Sequence, residues 1–454
     1  MLVTISITFP SFAPQSFMSF RLLCFLFAVF STACVGNGQD WPQWRGVNRD
    51  GVIENAISPL EDGPTLDWTS KVSGGYSGPT VVGKKVYVMD RLVEPTQVER
   101  VHCFDLSSGE NIWTHEYDAE YQGIGYPAGP RASVTIFNGR AYSIGSMGHA
   151  FCLDAETGKV IWSVNFNELY GIVANKRMPI WGISASPLIV GTNVIFHVGG
   201  SDGACVVAID VESGKEVWRA LEDRAQYSAP ALMEHQGKKS IVCWTGDSVA
   251  ALAPESGEVL WRYEFKPRNM PIGVATPVIK NGHIFVTSFY DGSLMLKVSD
   301  DGKSVSKVWS AVGPNEKKTR SLQSIISTPI WLDQHIYGVD SYGQLRCLEA
   351  KTGKRVWENL NAVPRARWST IHFVRNGSNG NTIWMFNERG EILLGKLSPT
   401  GFEELSRHKI IDPTRGQLRQ RGGVCWSHPA FVGEKIIVRS DKELKSWTIG
   451  SGSK

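Results

Sequence analysis

The sequence predicts an all-β protein: an eight-bladed β-propeller of four-stranded antiparallel blades, its ring closed by an N-terminal strand. Three observations carry this. A tryptophan recurs at Trp68, Trp113, Trp162, Trp218, Trp261, Trp309 and Trp357, at intervals of 45, 49, 56, 43, 48 and 48 residues, the length of one propeller blade. Eight openings keep step with it, at Pro79, Pro130, Pro187, Pro230, Pro277, Pro329 and Pro429, with Ile371 where one more proline would fall. Glycine (46 of 454 residues) and aromatics (10%) are abundant and charged residues reach only 20%, which favours strands and tight turns over long helices.

From the N-terminus, residues 1–38 read as a secretory signal peptide. Arg21 precedes an apolar run from Leu22 to Phe30, then small and polar residues up to Gly38; the run is too short to span a bilayer. Translation from Met18 would give a conventional charged n-region, cleavage falls after Ala33 or Gly38, and Cys34 is a candidate lipid anchor with Ser31 where a lipobox carries leucine. Export permits disulfides. Yet Cys103, Cys152 and Cys347 share one repeat position, filled by Ala208 and Ala251 elsewhere, so they are expected as small buried strand residues.

Residues 39–63 form an N-terminal extension packed on the ring, with Trp41 and Trp44 expected across its exterior, and the propeller spans 64–450. The clearest repeat runs from Ser186-Pro187 through Val194-Ile195-Phe196 and Asp210 to Ser213-Gly214-Lys215 and Val217-Trp218. Its Asp-x-x-Ser/Thr-Gly element is a hairpin turn: the carboxylate accepts turn amides and glycine takes the positive φ. The tryptophan is a wedge between blades, its indole N–H finding one acceptor. The seventh unit closes in a degraded form at Phe402 to Leu405. The last opening, Pro429, lacks a closing tryptophan, whereas Leu66-Asp67-Trp68 lacks an opening; the N-terminal strand therefore completes the last blade.

Segments such as Ala155-Glu156-Thr157-Gly158-Lys159-Val160-Ile161-Trp162 and Ala350-Lys351-Thr352-Gly353-Lys354-Arg355-Val356-Trp357 resemble the repeat shared by pyrroloquinoline quinone (PQQ) alcohol dehydrogenases and by BamB, the outer-membrane assembly lipoprotein. The resemblance covers about Trp68 to Ile449, and the stretch Asp40-Trp41-Pro42-Gln43-Trp44-Arg45-Gly46 is similar to the leader of many exported bacterial propellers. The dehydrogenase branch implies a vicinal cysteine pair, a calcium held by carboxylate and amide side chains, and a base aspartate. No Cys-Cys dipeptide exists here. The BamB branch implies an exported ring that binds other envelope proteins.

Function in a propeller lives on the loops around the channel. Tyr76, Tyr126, Arg131, Trp181, Tyr227, Arg268, Gln323, Arg367, Trp368, Arg419, Arg421, Trp426 and His428 all lie within a few residues of an opening and are expected to converge on one funnel. Arginine with aromatics suits an acidic protein loop or a small anionic or sugar ligand. The insertion Asn165 to Ile183 and the segment Glu94 to Arg100 are candidate partner surfaces. Net charge is +3 with both signs interspersed, which argues against a nucleic-acid partner. The leading reading is a non-catalytic scaffold for envelope proteins with neither metal nor cofactor, touching the membrane only through an anchor at Cys34. The alternatives are a dehydrogenase using PQQ with calcium, and a carbohydrate- or small-anion-binding protein.

Overall fold

A computed structural model describes residues 39–451; the leader, Met18 and Cys34 lie outside them. Eight antiparallel sheets, at residues 80–118, 135–165, 188–220, 231–264, 278–311, 330–359, 371–409 and 430–448, form blades 1 to 8. Among the described residues the only α-helix is the five-residue Phe166–Tyr170. Short opening strands of neighbouring blades touch around the axis, and the tryptophan strands form the outer edge. Strand Thr65–Lys71 pairs antiparallel with Glu443–Thr448 as the outer strand of blade 8. The ring is thus closed by residues almost four hundred positions apart in sequence.

The repeat chemistry follows from a lock between blades. On its own blade each tryptophan pairs across the ladder with a small or apolar residue, Cys103 with Trp113, Cys152 with Trp162 and Cys347 with Trp357, and the ladder then skips one residue. Those cysteines are buried free thiols, and burial pushes Cys103 up to about 12. The indole N–H donates to the turn of the next blade: Trp68 to Leu106 O at 2.8 Å, Trp162 to Val211 O at 3.1 Å, Trp309 to Ala350 O at 2.9 Å. The turn glycine supplies the seat. Gly214 has φ +70, and a Cβ there would come within 2.7 Å of the Trp162 ring.

Trp261 breaks this pattern. The turn it faces, in blade 5, is four residues longer, counted from Met295 to Trp309 against Cys347 to Trp357, and the Trp261 indole N–H has no partner. Trp68 and Trp261 are almost equally buried (7% and 6% exposed), so their replacement by phenylalanine isolates the hydrogen bond. We expect Trp68→Phe to lower stability by about 1 kcal/mol more than Trp261→Phe, measured by urea unfolding; equal losses would contradict the lock.

Two of the eight openings need correction. Tracing each ladder inward from its tryptophan, Trp162 meets Cys152, Tyr142 and Thr135, so Val134 occupies the proline place of blade 2 and Pro130 lies four residues upstream. In blade 7 the chain Ser406, Leu394, Trp384, Val374 puts Phe373 at that place instead of Ile371, and the docking tryptophan is replaced by Ser406. Pro130 belongs to the loop ahead of blade 2, where its carbonyl accepts from Tyr76 N and Ser77 N of blade 1, and Ile371 starts an inner strand of six residues where most blades have three, a strand that runs on to pair with Val52–Ile53.

Candidate functional site

The extension does not pack across the exterior, as its two tryptophans suggested. It plugs the axis. Trp41 exchanges both backbone hydrogen bonds with Val81 on the innermost strand of blade 1, Pro42 O accepts from Ile136 of blade 2, and Gly51 O accepts from Arg375 of blade 7. Arg49 donates to Ser186 O and Pro187 O of blade 3, and Trp44 Nε1 donates to Thr276 Oγ1 of blade 5 at 2.9 Å. Strand Val52–Ile53 then adds in parallel to the inner strand of blade 7. The physical reason is that inner strands twist away from their neighbours and leave backbone amides and carbonyls facing the axis, which a threaded segment satisfies.

Two arginines of this plug are buried, and burial lowers Arg45 to about 10 and Arg49 to about 9; nearby Asp50 partly restores the first, and Arg45 depresses the second further. Both donate to carbonyls, Arg45 to Arg49 O and Asp50 O. Trp41 and Trp44 pack on the ring of His428, at 6.1 and 5.1 Å, and His428 lies 4.9 Å from His372, the corresponding position of blade 7. His372 donates to Trp426 O, and the Nδ1–H of His428 donates to Pro429 O. Burial holds His372 down to about 4 and His428 well below the ordinary range.

That pair has a consequence for acid stability. Unfolded histidines take a proton near pH 6.5, but these two stay neutral in the folded ring, so below that pH the unfolded chain binds more protons. Stability is full above pH 6.5 and falls as pH drops toward 4, by about 3 kcal/mol for His372 alone. Urea unfolding from pH 7 to 4.5 checks this: His372→Gln is expected to flatten the slope, and an unchanged slope would contradict it.

Above the plug lies a chamber open to solvent at the mouth. Seven blades each contribute the residue three places before the strand-opening position: Tyr76, Arg131, Ser184, Tyr227, Val274, Ile326 and Trp426. Blade 7 contributes Trp368, held at φ +67. Two inserted loops bring in Tyr126 and Trp181 and are joined by Gly125 N donating to Ile180 O. The second loop is launched by helix Phe166–Tyr170, whose N-cap Asn165 side chain accepts from Asn167 N and Glu168 N and whose C-cap Gly171 is left-handed. Tyr126 and Trp181 meet Trp368 across the axis at 5.9 and 6.1 Å, and Trp181 stacks on Tyr227 at 4.8 Å. Trp44 is the floor.

The structure therefore brings Tyr76, Tyr126, Arg131, Trp181, Tyr227, Trp368 and Trp426 into one chamber. Arg131 lies 4.7 Å over the Tyr76 ring and donates to Gly129 O, Gly125 O and Tyr126 O, pinning the inserted loop. Burial pushes the Tyr227 hydroxyl up to about 12. Arg367 stands at the rim, paired with Glu316 at 2.8 Å and 4.5 Å over the Trp368 ring. Arg421 pairs with Glu388, which also accepts from Trp426 Nε1. Burial keeps the Glu388 carboxyl above its ordinary range.

Four expected site residues sit elsewhere. His428 is below the floor. Gln323 is buried and ties Gly313 N to Phe289 O, a loop brace. Arg268 is exposed, donating to Tyr290 O, and Arg419 is exposed on the outer part of its loop. Reading by nearness to an opening admitted these because distance along the chain does not fix direction. Trp44, Val274, Ile326 and Ser184 were missed; the last three become legible once the position three before each opening is aligned across blades.

A family model described as outer membrane protein assembly factor BamB matches residues 97–359. The chain belongs to this family. It is 23% identical over 341 residues to BamB of Shewanella oneidensis, covering 68% of this chain and 82% of that one. It is 27% identical over 172 residues to a quinoprotein ethanol dehydrogenase of Pseudomonas putida, covering 35% of this chain but only 26% of the dehydrogenase. The fold matches the crystal structure of BamB from Moraxella catarrhalis with a TM-score of 0.55 at 15% identity, over 85% of this chain and all of that one. A quinohemoprotein alcohol dehydrogenase of Comamonas testosteroni gives 0.59 at 13% identity, over 91% and 81%. The eight-bladed ring expected from the repeat, and its likeness to both branches, are borne out.

Proposed function

We propose that this family member is an exported, non-catalytic scaffold of the cell envelope that binds protein partners through its channel-mouth loops and serves outer-membrane protein assembly, the role for which its BamB relatives are named. The observation that carries this is coverage: the likeness extends over 82% of the Shewanella BamB, against about a quarter of the ethanol dehydrogenase. The channel supports it. Its axis is filled by the chain's own Trp41 to Ile53, and its mouth offers aromatic rings and arginines.

Calcium with PQQ finds a poor donor set in these residues. Among the described residues no three His, Cys, Asp or Glu side chains are grouped to share a metal ion, and the buried carboxylates near the mouth are engaged: Glu388 by Arg421, Asp340 by Arg346. The cysteines are buried singly, remote in sequence from one another. Absence of the cofactor is accordingly part of the proposal. Purified mature protein supplied with PQQ and calcium is expected to leave an artificial electron acceptor oxidised in the presence of alcohols or sugars, and affinity capture from envelope extract is expected to recover an outer-membrane assembly component in stoichiometric yield. Turnover of the acceptor, or capture without such a component, would overturn the reading.

A further inference from the structure

Charge on the mouth face is divided unevenly. The loops entering blades 6, 7, 8 and, less densely, blade 5 carry exposed cations, and six of these make no ion pair among the described residues: Lys317, Lys318, Arg320, Arg365, Arg415 and Arg419. Carboxylates on the same loops and turns are largely spent inward: Glu316 on Arg367, Glu388 on Arg421, Asp340 on Arg346, and Asp441 on Thr414 and Gln417 N. The exposed exception is Asp412, near Lys409 at 3.5 Å. The loops and turns of blades 1 to 4 differ, with exposed Glu94, Glu120, Glu168, Asp202 and Glu222 set against few cations. The result is a basic arc on one side of the mouth.

The arc borders the chamber. Trp368 and Trp426, on two of its four loops, line the chamber wall, and the Trp368 indole N–H is buried without an acceptor. Such a donor is costly to leave unpaired, and a chamber walled by tryptophan and tyrosine is the kind of pocket that receives the anchor residue of a partner. Exposed unpaired cations around it speed association with an acidic chain and reject a basic one. Their six charges come from three loops separated in sequence, those entering blades 6, 7 and 8.

We propose that the mouth binds an extended acidic peptide segment of a partner protein, with an aromatic side chain of that segment seated in the chamber beside Trp368 and its acidic residues along the arc of blades 6 to 8. A backbone carbonyl of the segment supplies the acceptor for the indole N–H. This rests on the scaffold reading and names the chemistry of the partner it requires.

The test uses purified full-length mature protein and a fluorescein-labelled peptide, acetyl-Glu-Asp-Glu-Phe-Glu-Asp-Glu-amide, read by anisotropy. Saturable 1:1 binding is expected, weakening about tenfold or more between low and physiological salt. The same peptide with alanine for phenylalanine, and the protein variant with Lys317→Glu, Lys318→Glu and Arg419→Glu, should each bind at least tenfold more weakly. All three substituted side chains are exposed, so an unchanged unfolding midpoint is expected and is measured alongside. Val274→Phe, which fills the chamber, should abolish the advantage of the phenylalanine peptide over the alanine one while leaving the salt dependence.

No binding, equal binding of the alanine peptide, equal binding of a lysine-for-acid peptide, or tighter binding to anionic phosphatidylglycerol vesicles than to the peptide would each overturn the proposal. Should the peptide fail while an assembly component is still captured from envelope extract, only this inference falls; should capture fail while the peptide binds, the scaffold reading falls instead.

Discussion

Deletion of residues 64–70 is expected to abolish cooperative unfolding of the whole ring, not of one blade. The strand Thr65–Lys71 supplies the outer edge of blade 8, where it hydrogen-bonds along Glu443–Thr448, and it carries the Trp68 wedge into blade 1. Losing it exposes a row of unpaired backbone groups and removes a large buried ring from the seam between the last blade and the first. Truncating Trp68 alone should cost about 3–5 kcal/mol. A repeat ring differs from an open solenoid in that every blade needs two neighbours, so an opened seam leaves two unprotected faces. Circular dichroism on heating, with light scattering, checks this; a deletion variant that retains the parent midpoint would contradict closure by this strand.

Trp41→Ala is expected to produce the second largest loss, about 3–5 kcal/mol. The side chain is 1% exposed, packs on Phe431 at 5.8 Å and on His428, and is held under Gly46, where a Cβ would lie 2.9 Å from the ring. The plug it anchors satisfies inner-strand groups of several blades, so its loosening should appear as faster hydrogen exchange at Val81, Ile136 and Arg375, the amides tied to Trp41, Pro42 and Gly51. A variant within about 1 kcal/mol of the parent, with those amides still protected, would show that the plug is an ornament of the ring.

The ring itself was legible in the sequence because its signals are local. A wedge tryptophan, an aspartate turn and a positive-φ glycine recur within about ten residues of each other, and the orphan strand at Leu66-Asp67-Trp68 matched the orphan opening at Pro429. The path of the extension was not legible. Trp41 and Trp44 carry the same apolar signal whether they lie outside a ring or through its centre, and what decides between these is the unmet hydrogen bonds of inner strands from blades far apart in the chain. Blade 7 hid its register for a related reason: Ser406 stands where a tryptophan was sought, so the period could not be carried through it.

The site was half legible. Seven of the thirteen loop residues expected at a funnel meet in the chamber, since a position just before an inner strand must face the axis; Arg268, Gln323 and Arg419 stand as close in sequence but point along the loop or into its base. The basic arc was legible only in part: Arg415 to Arg421 is a positive run of the sequence, but nothing local joins it to Lys317, Lys318, Arg320 and Arg365. A net charge of +3 with mixed signs conceals the whole, because carboxylates such as Glu316 and Glu388 offset the cations in the count but are turned inward onto Arg367 and Arg421 on folding.

The central claim, that partners are engaged at the channel mouth, is tested most directly by photo-cross-linking in intact cells, with a benzophenone amino acid placed in turn at Arg268, Arg365 and Arg419 on the mouth loops and at Lys84, Gln236 and Glu434 on the opposite turns. Cross-links to an outer-membrane assembly component from the mouth positions, and none from the opposite turns, are the predicted result; cross-links from the opposite turns with a silent mouth would contradict it.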